Sequence, residues 1–541
     1  MKSWWALALC CVVRSADFVA NDPELIYEAA RAVDQEVPWA AASKMLRGCV
    51  SDISPLTVTI EYKHRDDAGP RIVRTFRPWR SDTWRMLDDA DSFPCGLDAY
   101  VTEAGRARHI TEVTRHAWNG YYQHARGHDT LAPLSQTGVD DYGGISITAI
   151  DSLDTLWLMG LHKEFEEACA IVNDTRFDVD VSVNVFETTI RAIGGLLSAH
   201  TLSGRTWLLK RAMDLGSRLL PAFKTYGIPQ SDVNLLSGRA QDPAWQASSL
   251  SEAALTLEFR ELARLSNDTK FSAVVERADR RLRAIVEKRG DPLLPCLIVP
   301  GATLNVKGDV KLGARADSYY EYLLKEWARS GDSRYRDAFT ASARAIRERL
   351  HRAVGDDVFV GELHNGNFAG QMDHLVCFWP GVLALAIKAN ALSNDPFMDD
   401  ARRITRACAR MHRPYDLAPE ITKFEANRTF ITGADVHNLL RPETLESLYV
   451  MWCVEGDNTY RELSWTVFDH LERAARVDGG YATIKDVTKN IIDHYDQMPS
   501  YFLAETLKYA WLSASELDVI STHVLTTEGH ILSRTSDKRN L

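Results

Sequence analysis

The sequence predicts an all-α protein whose main body is a closed ring of seven helical hairpins behind a small N-terminal extension. Three observations carry that prediction. From about residue 107 the apolar residues recur with helical rather than alternating spacing. Strongly apolar segments start near Tyr142, Val185, Trp245, Arg315, His374, Glu443 and Ser500. A more charged stretch precedes each, as in "EVTRHAWNGYYQHA", "RTWLLKRAMDLGSRLL", "AVVERADRRLRAIVEK", "YRDAFTASARAIRERLHRA" and "TYRELSWTVFDHLERAARV". Helices apolar on most sides are inner ones and amphipathic helices are outer ones, so the alternation predicts a toroid with seven of each. A stacked solenoid is the alternative, but repeats of irregular length, roughly 40 to 70 residues, suit it less well.

Residues 1–20 open with "MKSWWALALCCVVRSAD", in which Lys2 precedes an apolar run from Trp4 to Val13 and small residues follow at Ser15 and Ala16. The run is about half of the ~20 residues a membrane span needs. It reads as a secretory signal cleaved near Ala16 or Ala20, with an uncleaved signal-anchor or a buried helix as alternatives. Sequons at Asn173, Asn267 and Asn427 agree with a secretory compartment. Residues 21–106 form the extension, where "PLTVTIEYKH" and "PRIVRTFRPW" read as short strands around the polar turn "RDDAG". Cys49 and Cys95 fall within it, and spacing alone does not show whether they pair. Once Cys10 and Cys11 are set aside with the leader, seven of the nine cysteines remain, so at least one lacks an intrachain partner. Residues 107–533 make the ring, and 534–541 are a tail.

Composition narrows the function. The 541 residues are 45% apolar and 25% charged, ordinary for a soluble globular protein. A net charge of −11 argues against a nucleic-acid binder. No HExxH or CxxC spacing offers a zinc site. The glycine pairs of "GGISIT" and "RAIGGLL" lack the spacing of a phosphate or dinucleotide loop.

The inner segments carry the chemistry, because ionisable residues interrupt their apolar runs. They hold Glu187 and Arg191; Arg315, Asp317 and Glu321; His374; Glu420; Arg441, Glu443 and Glu446; Glu505; and Thr527 with Glu528. A buried carboxylate is costly unless paired or hydrogen-bonded. Any one of these reads equally well as a helix-end salt bridge, but several on different inner helices point to a cavity on the ring axis. Paired carboxylates without metal-ligand histidines fit acid–base hydrolysis of a glycosidic bond, one acid protonated and the other ionised. Glu443 follows Pro442, a residue favoured at the first helical position, so the helix dipole is expected to lower its pKa and favour the base role. Glu187 lies among Val185, Phe186 and Ile190, where desolvation is expected to raise its pKa and Arg191 to pull it back.

The blocks "DSLDTLWLMGL", "NVFETTIRAIGGLLSAH", "SDVN", "LEFRELARL", "LGARADSYYEYLLK", "MDHLVCFWPG", "LRPETLESLY", "GGYATIKDV" and "FLAETLKYAWLS" occur in unbroken order. Together they closely resemble the class I α-1,2-mannosidases, glycoside hydrolase family 47, from about Arg108 to Leu532. The resemblance implies an (α/α)7 barrel with a C-terminal hairpin entering it. It also implies removal of α-1,2-linked mannose from Man9GlcNAc2-type N-glycans with inversion. Glu187 matches the family's proton-donor position, and Asp317 and Glu443 match the other central acids, with Glu443 the favoured base and Asp317 an alternative acid acting through water. Glu420 matches a further proton-donor position. Arg191, Arg315, His374, Arg441, Glu446, Tyr501, Glu505 and Glu528 match residues that hold the sugar or its waters. The resemblance implies one Ca²⁺ held by the backbone oxygen and hydroxyl of Thr527 with waters, a ligand set that suits a hard ion.

Cys377 and Cys408 match the family's disulfide, which the degradation-enhancing mannosidase-like proteins lack. Arg315 matches the endoplasmic-reticulum form, which implies Man8 isomer B as product. The implied partners are high-mannose N-glycans on glycoproteins and no nucleic acid, for a monomer in the endoplasmic reticulum lumen or early Golgi; the leader leaves membrane attachment open. The alternatives are a glycan-binding quality-control lectin with little turnover and a helical-repeat scaffold. The chain departs from the family pattern where the usual "NTEAHP" reads "TTEGHI" and where Tyr501 replaces a common phenylalanine.

Overall fold

The computed structural model describes residues 103–534, apart from 242–246, 300–303, 413–415, 426–427, 432–434 and 490, together with five short strands before residue 103. The chain divides into two compact units, Met1–Arg106 and Ala107–Leu541. In the first, the five strands form one antiparallel sheet in which Val58–Tyr62 pairs with Ile72–Trp79, Val58 opposite Phe76. These are the two alternating stretches of the extension. The leader reading falls largely outside the described residues, and Cys49, Cys95, Asn427 and the tail from 535 fall wholly outside them.

The second unit is the ring. Its outer helices are Glu103–His124, His162–Asp174, Thr206–Leu219, Lys270–Arg289, Ser333–Arg349, Asn394–His412 and Thr459–Ala475. Its inner helices are 147–158, 185–203, Thr256–Ser266, Asp317–Ser330, Trp379–Lys388, Glu443–Glu455 and 502–515. Lys270–Arg289 shows why the outer ones form. Phe271, Val275, Ala278, Leu282 and Ile285 recur every three or four residues and make one buried stripe, while charged residues cover the rest. Burying each of the larger side chains stabilises the fold by roughly 1.5–3 kcal/mol. Gly290, at φ 63°, ends this helix in the left-handed conformation that glycine adopts without strain. Asp317–Ser330 is the opposite case, buried without a break from Ser318 to Glu326.

Each inner helix packs on the next, and Leu153–Leu158 packs on Phe502–Thr506, where the Thr155 hydroxyl donates to the Ala504 carbonyl at 3.3 Å. That last contact closes the ring and excludes an open solenoid. Two inner helices start later than their apolar runs suggest. The Tyr142 run begins as a turn, because the Asp129 carboxylate accepts backbone N–H groups from Tyr142, Gly144, Ile145 and Ile147. After Trp245, the strand Ser248–Ser249 and the short turn Glu252–Ala254 precede Thr256.

A disulfide between Cys377 and Cys408, Cα–Cα 5.9 Å, ties the approach to an inner helix to the outer helix beside it. Cys169, Cys296 and Cys453 are free thiols. The chain ends in a hairpin, His523–Leu525 against Ile531–Ser533, which packs on Gly194–Ser203. The glycine pair of "RAIGGLL" makes room for it. A Cβ at Gly194 would lie 2.8 Å from the His530 ring, and one at Gly195 would lie 2.7 Å from the Ile150 carbonyl. Among the described residues no helix is long and apolar enough to cross a membrane.

Candidate active site

Glu187, Asp317 and Glu443 all lie in the first turn of their inner segments, so three separate helices bring them to one end of the ring. There they line a single cavity of about 660 Å³. Arg191, Arg315, Arg441, Glu446, Tyr501, Glu505, Thr527 and Glu528 line it as well. Helix N-termini favour negative charge, but the acidity here exceeds what they offset. Nine carboxyl side chains and three arginines face this space.

The Glu187–Arg191 pair forms one wall. Asn184 Oδ1 accepts the Glu187 backbone N–H at 2.9 Å and so caps the helix. Arg191 lies on a π-helical turn, Thr188–Ile193, a distortion common at functional sites. Its guanidinium bonds Glu187 Oε2 at 2.8 Å and also pairs with Glu528, and it lies 3.6 Å from Asp151. The rings of Tyr142 and Tyr501 are each 5.5 Å from it. Glu187 is 33% exposed and opens on the cavity.

Glu443 reverses expectation. Burial pushes its carboxyl up to about 7, with the Arg441 guanidinium opposing and Glu420 and Asp317 adding to the rise. A dipole that fades within one helical turn is outweighed by loss of water and by acids from distant parts of the chain. Its Oε2 is buried with no protein hydrogen-bond partner. Burial likewise raises Asp317 to about 6, although Ser251 Oγ and the Ser318 N–H each donate to it at 2.8 Å. Glu446 is raised to about 8 by burial, against the pull of Lys325. Glu505, on a second π-helical turn, and Glu528 are both raised well above the carboxylate range, first by burial.

Two expected site residues stand behind the cavity wall. Glu420 accepts from Arg441 Nε at 2.8 Å and from the Leu439 N–H at 3.1 Å, so it orients Arg441 rather than lining the cavity. His374 is fully buried, with Nε2 2.9 Å from the Thr444 hydroxyl, and burial holds it neutral. It steadies the residue next to Glu443. Arg315 lines the cavity with φ 76°, a conformation rare for a side chain of its size.

Three of the departures from the family pattern, at Gly529, Ile531 and Tyr501, have a local reason. Gly529 sits at φ 66°, where alanine would be strained. The Ile531 N–H donates to Ser198 Oγ at 2.9 Å, a bond that proline cannot make. The Tyr501 hydroxyl donates to the Leu439 carbonyl at 2.7 Å, which phenylalanine cannot do.

Thr527 lies in the hairpin turn, outside both strands, with Oγ1 3.1 Å from Ser318 Oγ. Among the described residues no cluster of three or more His, Cys, Asp or Glu side chains is poised to hold a metal. A hydroxyl on a floor of desolvated carboxyls suits a hard cation that keeps waters between itself and the acids. The raised carboxyls show where positive charge would be favoured.

Sequence reasoning passed over Asp141, Tyr142, Asn184, Ser251 and Glu252, which also line the cavity. Only Asn184 carried a local signal, as an Asn three residues before a Glu at a helix start.

Comparison with known proteins agrees with this architecture. The sequence profile of glycosyl hydrolase family 47 matches residues 113–534. An endoplasmic reticulum mannosyl-oligosaccharide 1,2-alpha-mannosidase of Homo sapiens is 41% identical over 449 residues, covering 79% of this chain and 64% of the human protein. The chain thus spans under two thirds of that relative's length. A mannosyl-oligosaccharide 1,2-alpha-mannosidase of Arabidopsis thaliana is 37% identical over 443 residues, covering 79% of this chain and 78% of the plant protein. The solved structure of an alpha-1,2-mannosidase from Trichoderma reesei shares the fold, with TM-score 0.74 at 24% identity over 80% of this chain and 99% of its own. The chain belongs to glycosyl hydrolase family 47.

Proposed function

We propose that the chain is an inverting exo-α-1,2-mannosidase that trims high-mannose N-glycans in the endoplasmic reticulum lumen. The observation that carries this reading is the gathering of Glu187, Asp317 and Glu443, from three inner helices, around one acidic cavity. The relatives' names supply the substrate class and, for the human relative, the compartment.

An inverting hydrolase needs a proton donor on the leaving-group oxygen and a base for the attacking water on the opposite face of the sugar. Asp317 and Glu187 are the candidate donors. Asp317, raised to about 6, keeps a proton in reserve near neutral pH, while Glu187 opens on the cavity under the hold of Arg191. Glu443 is the base. Its Oε2 has no protein partner and is left to accept a proton from water, which attacks the anomeric carbon as the glycosidic bond breaks. Arg441 beside it favours the ionised form that this role requires. Arg191, Arg315 and Tyr501 present charge and an aromatic face to the sugar. Thr527 would hold Ca²⁺, which when bound supplies oxygen coordination to sugar hydroxyls and offsets the acidity of the floor. The backbone strain at Arg315 supports a specific role in glycan-branch choice, with Man8 isomer B as product.

The test incubates purified protein with Man9GlcNAc2, with and without a calcium chelator, and identifies the trimmed isomer. Release of one mannose to give Man8 isomer B, abolished by the chelator and restored by Ca²⁺, is expected. Binding without release would favour a lectin, and release indifferent to chelation would remove the calcium assignment.

A further inference from the structure

The C-terminal hairpin meets the ring at its closing seam, where one of its side chains is held by two acids of the first inner helix. His530 is fully buried, with Nδ1 3.0 Å from Asp154 Oδ2 and Nε2 3.0 Å from Asp151 Oδ1. An ionised carboxylate only accepts, so each ring nitrogen has to donate and the ring carries both protons. Burial works against that charge, but the two carboxylates outweigh it and raise the imidazole pKa to about 9.

The surroundings are built around this cation. Lys508, on the last inner helix, donates to Asp154 at 3.0 Å and to the Gly529 carbonyl at 2.8 Å. Ser198, on the second, donates to Asp154 at 2.7 Å. Ser500 donates to Asp151. Two acids and two cations therefore balance in a volume closed to water. Glu258, on the third inner helix, and Glu528, in the hairpin turn, also feel the His530 charge. Asp151 also faces Arg191 at 3.6 Å, and Arg191 holds Glu187 and Glu528 in the cavity. Glu528 and Thr527 belong to the same short turn as His530, whose N–H donates to Thr526 Oγ1 at 3.1 Å.

We propose that His530 is a positioning residue: as an imidazolium clamped between Asp151 and Asp154, it fixes the hairpin turn so that Thr527 and Glu528 sit on the cavity floor. Because it shares Asp151, it also leaves Arg191 free to serve Glu187 and Glu528. The activity arm of the test rests on the mannosidase reading, and the other arms do not.

The test compares wild type, His530→Gln, and His530→Gln combined with Asp151→Asn, which removes one cation and one anion together. Folding is checked by circular dichroism, Ca²⁺ affinity by the rise in unfolding temperature with added Ca²⁺, and turnover by kcat and KM on an α-1,2-linked mannoside. For His530→Gln, kcat is expected to fall roughly 10- to 100-fold with a smaller change in KM, and the Ca²⁺ midpoint is expected to rise about tenfold. The double variant is expected to recover part of both losses. A His530→Gln protein that unfolds at lower temperature yet keeps wild-type kcat and Ca²⁺ midpoint would overturn the proposal, since the role would then be structural only. If the variant does not fold, nitrogen-15 NMR of histidine-labelled wild type decides. One imidazole still doubly protonated at pH 8 is expected, and its absence overturns the clamp. Should wild type release no mannose, the Ca²⁺ and NMR arms still judge His530 while the mannosidase reading fails by itself.

Discussion

Replacing Glu443 with glutamine is expected to make the calcium-free protein more stable and inactive at once. In the folded chain the Glu443 pKa stands at about 7 against an ordinary 4.5, because burial disfavours the charged form. The folded state therefore binds this proton more tightly than the unfolded state. Stability falls as pH rises from 4.5 to about 7 and stays lower above it. Integrating between those two values gives a penalty of about 3 kcal/mol near pH 8 and under ~1 kcal/mol near pH 5. Glutamine keeps the shape and never ionises, so Glu443→Gln removes the penalty. For a fold of this size one kcal/mol corresponds to about 1–2 °C. Thermal unfolding in chelator is expected to rise by about 3–6 °C at pH 8 and by under ~2 °C at pH 5, while turnover drops roughly 10²- to 10⁴-fold. No gain at pH 8, or an equal gain at both pH values, would refute the claim that this carboxyl is desolvated.

Arg191→Met leaves Glu187, Glu528 and Asp151 without their shared cation and is expected to cost about 3–5 kcal/mol in denaturant unfolding. Cys408→Ser opens a link that spans 31 residues and is expected to lower unfolding stability by roughly 3–4 kcal/mol, an effect reproduced in wild type by reductant under denaturing conditions. Tyr501→Phe removes the bond to the Leu439 carbonyl, close to Arg441, and is expected to weaken transition-state binding by about 1 kcal/mol, read as a several-fold drop in kcat/KM.

The ring was legible because inner and outer helices differ in a local property, the width of the apolar stripe, which a sequence displays directly. Its closure was inferred from the alternation and the irregular repeat lengths, but the contact that makes it, Leu153–Leu158 on Phe502–Thr506 from the far end of the chain, shows in no local pattern. The central acids were legible for the same reason in reverse. Glu187, Asp317 and Glu443 are anomalies in apolar surroundings, and anomalies mark function. Glu443 shows where local rules stop. Proline at the helix start argued for a lowered pKa, whereas loss of water and acids from distant parts of the chain, both long-range effects, raised it. Glu420 and His374 carried the right chemistry but stand one layer back, orienting Arg441 and Thr444, a distinction that spacing does not encode. The glycine pair at Gly194 and Gly195 shows no motif of its own and becomes intelligible only once His530 is seen pressed against it.

The most direct measurement follows the anomeric proton of the first mannose released from an α-1,2-linked substrate by NMR, before mutarotation. Water delivered by Glu443 to the face opposite the leaving group requires that β-mannose appear first. Initial release of α-mannose, or none from a folded, calcium-loaded protein, would contradict the account.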